Sequence, residues 1–222
     1  MSKIVLCGFD FETTFKLIEE NILSCVTTKI EVSDYKYHHN AHYGDMPEIL
    51  RNGILSYNER LRLENKDGSE EEKYRRSDSA YVNGTDFISV ATEEGYPADS
   101  TPSYRLKYDL YYYDSLYRTD ILLSQDIDAN PNRHNYINEC LVKDKIDISK
   151  FRGIDIRLLN YIKATLKNPN ERDIKRIINA YNSLIDMSLI MREDNLGIPL
   201  REVSCENNTL EISKVSNLQK IK

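Results

Sequence analysis

The sequence predicts an α+β fold, a mixed β-sheet module at about residues 27–157 with helices before and after it. Three observations carry this. Strand-sized runs fill the middle of the chain, the clearest at residues 85–92, where Ile88 and Val90 fall on one side and Phe87, Ser89 and Ala91 on the other. Helical stripes flank them, first through Phe11, Phe15, Ile18, Ile22 and Leu23, then from Leu158 onward. A short, well-punctuated helix at residues 45–53 interrupts the strands.

The totals restrict the class. The chain has 222 residues, 30% of them charged, with a net charge of -6. That balance argues against coating nucleic acid through bulk charge, which needs Lys and Arg, and leaves room for a local basic groove. No apolar run approaches the roughly 18 residues of a membrane span. We therefore expect no membrane partner and a cytoplasmic location. Cys7, Cys25, Cys140 and Cys205 are scattered without paired spacing. No metal site is expected, and without an export signal disulfides are not expected either.

Taken in order, Lys3 to Gly8 is a short apolar run read as a strand, and Asp10 to Thr13 opens a helix ending near Cys25. Partial alternation of Ile30, Val32, Tyr35 and Tyr37 predicts one strand or a bent pair over residues 27–39, leading to His42. His42 to Ser56 reads as a strand end, a helix and a glycine stop. Asp45 is placed to cap the helix, Pro47 suits its first turn, and Gly53 suits a left-handed end. His42 is thus either a loop histidine over an ordinary αβ unit or an imidazole held for use. Residues 57–64 predict a further helical turn, and residues 65–80 a polar loop whose Arg75 and Arg76 precede the next strand.

Small residues on one side of the 85–92 strand imply a close approach there. A loop with Gly95, Pro97 and Pro102 follows. Six tyrosines crowd residues 104–117. They are read first as rings packed on strands with wet hydroxyls, and second as a stacking platform for a base or nicotinamide. Strands are predicted at 120–124, 136–142 and 151–156, with a loop at 126–135. Leu158, Leu159, Ile162 and Leu166 fit one helical face. Asn168-Pro-Asn-Glu171 starts another helix, with an Asn cap and Pro in the first position. Its stripe runs through Ile174, Ile177, Ile178, Tyr181, Leu184, Ile185 and Ser188 to about Arg192, and Gly197 and Pro199 end it. The last twenty residues are polar, with one strand and a frayed end expected. Three segments follow: a 1–26 strand-helix extension, a 27–157 core, and a 158–222 helical segment and tail packed on the core.

Glu139 is the odd residue in its run, beside Ile137, Cys140, Leu141 and Val142. It is either an outward Glu on an edge strand or a carboxylate kept among apolar neighbours for chemistry, where burial costs free energy unless it is satisfied.

His42 with Ile49-Leu-Arg-Asn-Gly-Ile-Leu-Ser56, then Phe87-Ile-Ser-Val-Ala91, then Asn138-Glu139-Cys-Leu-Val142 with Phe151-Arg-Gly-Ile-Asp-Ile156 together resemble the ADP-ribosyltransferase superfamily. The pattern His42-x-x-Asp45-Met46-Pro47-x-Ile49-Leu50-x-x-Gly53 looks most like the DarT-type toxins. The resemblance covers about 120 residues; segments 1–26 and 158–222 match no family motif. The central strand departs from the DarT-type form, which is aromatic and contains Pro. The resemblance implies a split mixed or antiparallel β-sheet core with flanking helices and a C-terminal helical segment. It implies a mono-ADP-ribosyltransferase with NAD as co-substrate and no metal, acting on a DNA, RNA or protein acceptor. A bacterial or phage toxin or host-conflict effector, with an antitoxin or immunity partner, would fit. Glu139 would be catalytic, and His42, Tyr43, Arg75, Arg76 and Ser89 would bind or line the NAD site. A different class remains open: a catalytically inactive module of this fold that binds a nucleotide or a partner protein.

Overall fold

The computed structural model describes residues 5–6, 9–63, 86–92, 117–131, 139–167, 170–205 and 208–221. Arg75 and Arg76, the polar 65–80 and 93–103 loops, tyrosines 104–113 and the expected cap Asn168 lie outside the described residues. An α+β architecture results, built on a nine-stranded, mostly antiparallel sheet.

The chain begins with a short antiparallel pair, β1 (Val5–Leu6) and β2 (Phe9–Asp10). Helix α1 (Phe11–Cys25) then buries Phe11, Phe15, Ile18, Ile22 and Cys25, a spacing of three to four that lays one stripe on the core. Leu23, expected in that stripe, is 47% exposed, because the stripe continues to Cys25 instead. Next come β3 (Val26–Lys29) and β4 (Tyr35–His42), α2 (Met46–Asn52), β5 (Ile54–Leu55) and α3 (Tyr57–Leu63). The middle of the chain supplies β6 (Phe87–Thr92), β7 (Arg118–Ser124), β8 (Ala129–Pro131), β9 (Glu139–Lys143), β10 (Lys145–Ile146) and β11 (Phe151–Ile156). Two helices follow, α4 (Leu158–Lys167) and α5 (Glu171–Glu193). Two strands, β12 (Leu200–Glu202) and β13 (Asn208–Leu210), and a last turn of helix, α6 (Ile212–Val215), complete it.

The sheet runs β3-β13-β12-β11-β7-β4-β6-β9-β8. Only β11 and β12 are parallel; the other neighbours are antiparallel. Alternation divides its central strands into two faces. Tyr37, Ala41, Ile88, Val90, Ile121, Leu123, Ile154 and Ile156 are buried in one core with the inward residues of α1, α4 and α5. The opposite face carries Asn40, Asp120, Asp155 and Arg201 as successive cross-strand partners.

Residues 27–39 are neither one strand nor a bent pair. β3 lies at the sheet edge and β4 in its interior, with β13, β12, β11 and β7 between them. The link between them passes over Gly153 of β11: a Cβ there would sit 3.0 Å from Val32 Cγ2 and 3.3 Å from Leu122 Cδ1. A glycine at this place makes room for the crossing.

One sheet also joins the expected 27–157 and 158–222 segments. The last twenty residues hold one strand, β13, as expected, and the end does not fray at Ile221, whose N–H donates to Asn182 Oδ1 at 2.9 Å. Asn21 Nδ2 donates to the Tyr181 hydroxyl at 2.8 Å, tying α1 to α5. The cap of α5 is Asn170, whose side chain accepts the Asp173 N–H at 2.9 Å. On α4, Tyr161 and Thr165 are buried while Leu166 is 43% exposed.

Candidate functional site

His42 ends β4 with its side chain exposed. The chain then makes a tight turn at Tyr43–Asp45 and enters α2. Asp45 makes no side-chain cap, contrary to expectation. The turn replaces it: the Met46 N–H donates to the Tyr43 carbonyl, so a backbone acceptor takes the place of a side chain. Gly53 stops α2 at φ 79, ψ -178, a backbone region for glycine rather than the left-handed helical one. Its N–H donates to the Ile49 carbonyl at 2.8 Å, and a Cβ would lie 2.4 Å from the Ile146 carbonyl oxygen. The α2 helix is therefore pressed against β10 just where β5 and β10 pair, Ile54 opposite Ile146.

Tyr43 turns inward. It is 3% exposed and its hydroxyl accepts the Arg157 N–H at 3.2 Å. Burial, and then the charge of Glu202, push its ionisation far above the ordinary tyrosine range. It is buried beneath His42, with its hydroxyl at the start of α4.

Around His42 the structure builds an aromatic and cationic corner. The imidazole stacks on Tyr117, with ring centres 5.4 Å apart and planes 21° apart. The Arg176 guanidinium lies 4.3 Å from the centre of the Tyr117 ring and that of Arg118 lies 5.8 Å from it. Tyr161 lies 6.1 Å from Tyr117 and donates its hydroxyl proton to buried Asp173 at 3.0 Å. Arg176 is 3.6 Å from the same carboxylate.

One step inward on the same face, Asp120 collects three groups. Asn40 donates to it at 3.0 Å, His38 Nδ1 lies at 3.3 Å and Arg157 at 3.5 Å. Its neighbour Asp155 receives Arg201 through two parallel bonds of 2.7 and 2.8 Å. Burial raises the Asp155 pKa, and the Arg201 guanidinium opposes that rise. Glu202 belongs to the other face. It is fully buried, its carboxylate accepts the Leu158 and Leu159 N–H groups that open α4, and Ser204 donates to it as well. Burial raises its pKa too.

The sequence-predicted residues distribute as follows. Ser89 is half-buried on β6, and His39 Nδ1 is 2.9 Å from its carbonyl oxygen. Glu139 opens β9 opposite Ala91, and Ala91 lies opposite His38. His42, Ser89 and Glu139 thus come from three consecutive strands, β4, β6 and β9. His42 is four residues further along than His38, so the backbone positions of His42 and Glu139 are about 16 Å apart by strand spacing.

The sequence reading missed Arg118, Asp120, Arg157 and Arg176, and singled out Tyr117 only as one of the tyrosines read second as a stacking platform. A signal existed for Asp120 and Asp155. Asp120 precedes Ile121-Leu-Leu123 and Asp155 lies between Ile154 and Ile156, and buried charges need partners. Among the described residues no cluster of His, Cys, Asp and Glu can hold a metal, and no helix is long and apolar enough to cross a membrane. Cys25 is a buried free thiol, and Cys140 is buried as well. Comparisons with protein-family models, curated proteins and solved structures find no match.

Proposed function

We propose that this chain is an NAD-dependent mono-ADP-ribosyltransferase that cleaves NAD and transfers ADP-ribose to a macromolecular acceptor. One observation carries the reading. The three motif segments around His42, Ser89 and Glu139 are far apart in sequence yet form neighbouring strands of one sheet. Chance agreement of short motifs gives no reason for that adjacency. The separation of His42 and Glu139 also suits a ligand with two ends, adenosine at one and the nicotinamide ribose at the other.

In this reading His42 hydrogen-bonds the adenosine ribose, with its ring steadied by Tyr117. Glu139 stabilises the positive charge that grows on the nicotinamide ribose as its bond to nicotinamide stretches. The C1′–N bond breaks, nicotinamide leaves with the electron pair, and the acceptor forms the new bond to C1′. The acceptor's proton passes to the Glu139 carboxylate or to water. Ser89 lines the cleft, and Arg75 or Arg76 pairs with the diphosphate. The acceptor is a nucleic acid or a protein, in keeping with a toxin or host-conflict effector and a neutralising partner.

Labelled NAD incubated with the protein and a cell lysate tests this. Transfer of label and release of nicotinamide are expected, and both fall at least a hundredfold in Glu139→Ala. Nuclease or protease treatment of the labelled product names the acceptor class. Turnover that is indifferent to Glu139→Ala removes the enzyme reading. NAD-dependent thermal stabilisation with no turnover replaces it with a nucleotide-binding module.

A further inference from the structure

We propose that Arg118, beside His42, is the binding site for a phosphoryl group at the adenosine end of the ligand. The inference takes its nucleotide from the reading above, but the anion site itself stands on separate observations.

Arg118 opens β7 directly opposite His42, so the two residues share the last row of the sheet. Three other arginines on or beside this face hold carboxylates: Arg157 holds Asp120, Arg176 holds Asp173, and Arg201 holds Asp155. Arg118 holds none among the described residues. Its Nε is shut off from water and has no hydrogen-bond partner among the described residues. Its guanidinium is set against the Tyr117 ring, which limits the orientations of the fork. A long surface arginine ordinarily keeps its whole head in water while its stem packs. Here part of the head is already desolvated and held, with no carboxylate paired to it among the described residues, which leaves the outer Nη groups as the part a ligand would meet.

The chemistry of that acceptor follows. The residue as a whole is only half-buried, and the outer Nη pair of its planar fork suits two oxygens of one tetrahedral anion, to which phosphate gives a two-pronged match. A carboxylate of the chain would serve equally, but Asp120 and Asp173 are already engaged by other cations. Arg118 lies on the β7 side of His42, whereas Glu139 lies on the β6 and β9 side. The phosphoryl group is therefore held at, or outward from, the adenosine ribose. Two groups of a dinucleotide meet that condition, the adenosine-side phosphate of the diphosphate and a phosphate on the adenosine ribose 2′-oxygen.

Calorimetric titration of the full chain with inorganic pyrophosphate, adenosine, ADP-ribose and 2′-phospho-ADP-ribose tests the site. In Arg118→Gln, binding of at least one phosphorylated ligand weakens tenfold or more while adenosine is unchanged. Arg118→Lys recovers part of the loss, since it keeps the charge and loses the fork. Equal weakening of both ADP-ribose compounds assigns the diphosphate; weakening of the 2′-phosphorylated compound alone assigns the 2′-phosphate. Phenylglyoxal labelling of the unaltered protein gives a readout that needs no variant: a saturating phosphorylated ligand should protect Arg118. If Arg118→Gln binds every phosphorylated ligand as tightly as the unaltered chain, or no ligand protects Arg118, the site is refuted even where label transfer persists. Pyrophosphate binding that depends on Arg118 in a chain that ignores ADP-ribose upholds the anion site and removes the transferase reading.

Discussion

On one face of β4, β7 and β11, alternation places Tyr37, Ala41, Ile121, Leu123, Ile154 and Ile156. One residue along, on the other face, it places Asn40, Asp120 and Asp155. The first set stabilises by apolar area removed from water, at about 25 cal/mol per Å², with little regard to direction. The second depends on partners: each carboxylate is met by a donor of matched geometry, and loss of one donor strands the other. The first face is a core. The second is a surface of paired charges, and Arg118 pairs with no carboxylate among the described residues. A ligand finds its purchase where pairing is incomplete.

The contrast can be broken most sharply at Arg201. Arg201→Ala leaves Asp155 buried without its two-pronged partner and should cost about 3–5 kcal/mol. That is on a par with the roughly 2–5 kcal/mol expected for Leu123→Ala on the apolar face. Urea midpoints measure both. The double change Asp155→Leu with Arg201→Met should recover most of the loss; if it is no better than Arg201→Ala, pairing is not what the polar face rests on. A smaller effect is expected at the crossing point. Gly153→Ala pushes a methyl group against Val32 and Leu122, whose side-chain ends can yield, for a loss of about 1 kcal/mol in thermal or urea unfolding. A loss near zero would mean that the link does not press on this face.

The smallest expected effect is in acid, at an exposed pair. Lys150, and then Ser124, hold the Asp126 pKa down to about 2. Because its folded value lies below its unfolded one, it adds stability above the ordinary carboxylate value, and that part is lost as pH falls from about 4 toward 2. Asp126→Asn should therefore shrink the difference between urea midpoints measured at about pH 5 and pH 3. Asp155 has the opposite sign: its raised value makes stability decline as pH rises through the window above the ordinary carboxylate value. An unchanged midpoint difference in Asp126→Asn would remove its ion pair with Lys150 as a source of acid sensitivity.

Local pattern made part of this legible. The stripes of α1 and α5, the alternation of β6 and the His42-to-Gly53 unit are short-range signals, and each element forms where its residues predict. What failed was long-range or balanced on one atom. Val26–Lys29 and Tyr35–His42 look continuous in sequence, and the four strands that separate them in the sheet, β13, β12, β11 and β7, all come later in the chain. Leu200–Glu202 and Asn208–Leu210 are three residues each and polar in part, too short to show a period. Asn168 and Asn170 are equal as caps on paper; the side chain that reaches the Asp173 N–H belongs to Asn170. At the site, the segments of His42, Ser89 and Glu139 were readable as motifs. The pairing of His42 with Arg118 was not, since nothing local links positions 42 and 118.

The position of β3 sets a schedule for synthesis. Its sheet partner is β13: Thr27 Oγ1 donates to the Thr209 carbonyl at 2.8 Å, and the Glu211 N–H donates to the Cys25 carbonyl at 2.8 Å. At about 5–20 residues per second, a ribosome takes roughly 10–40 s to make the chain between those partners. Throughout that interval the apolar stripe of α1 waits for α4, α5 and α6, and β3 waits for its neighbour. The nascent chain therefore carries α1 and β3 with part of their surface unmatched until β13 and α6 have been made, and chaperones would be expected to engage it there.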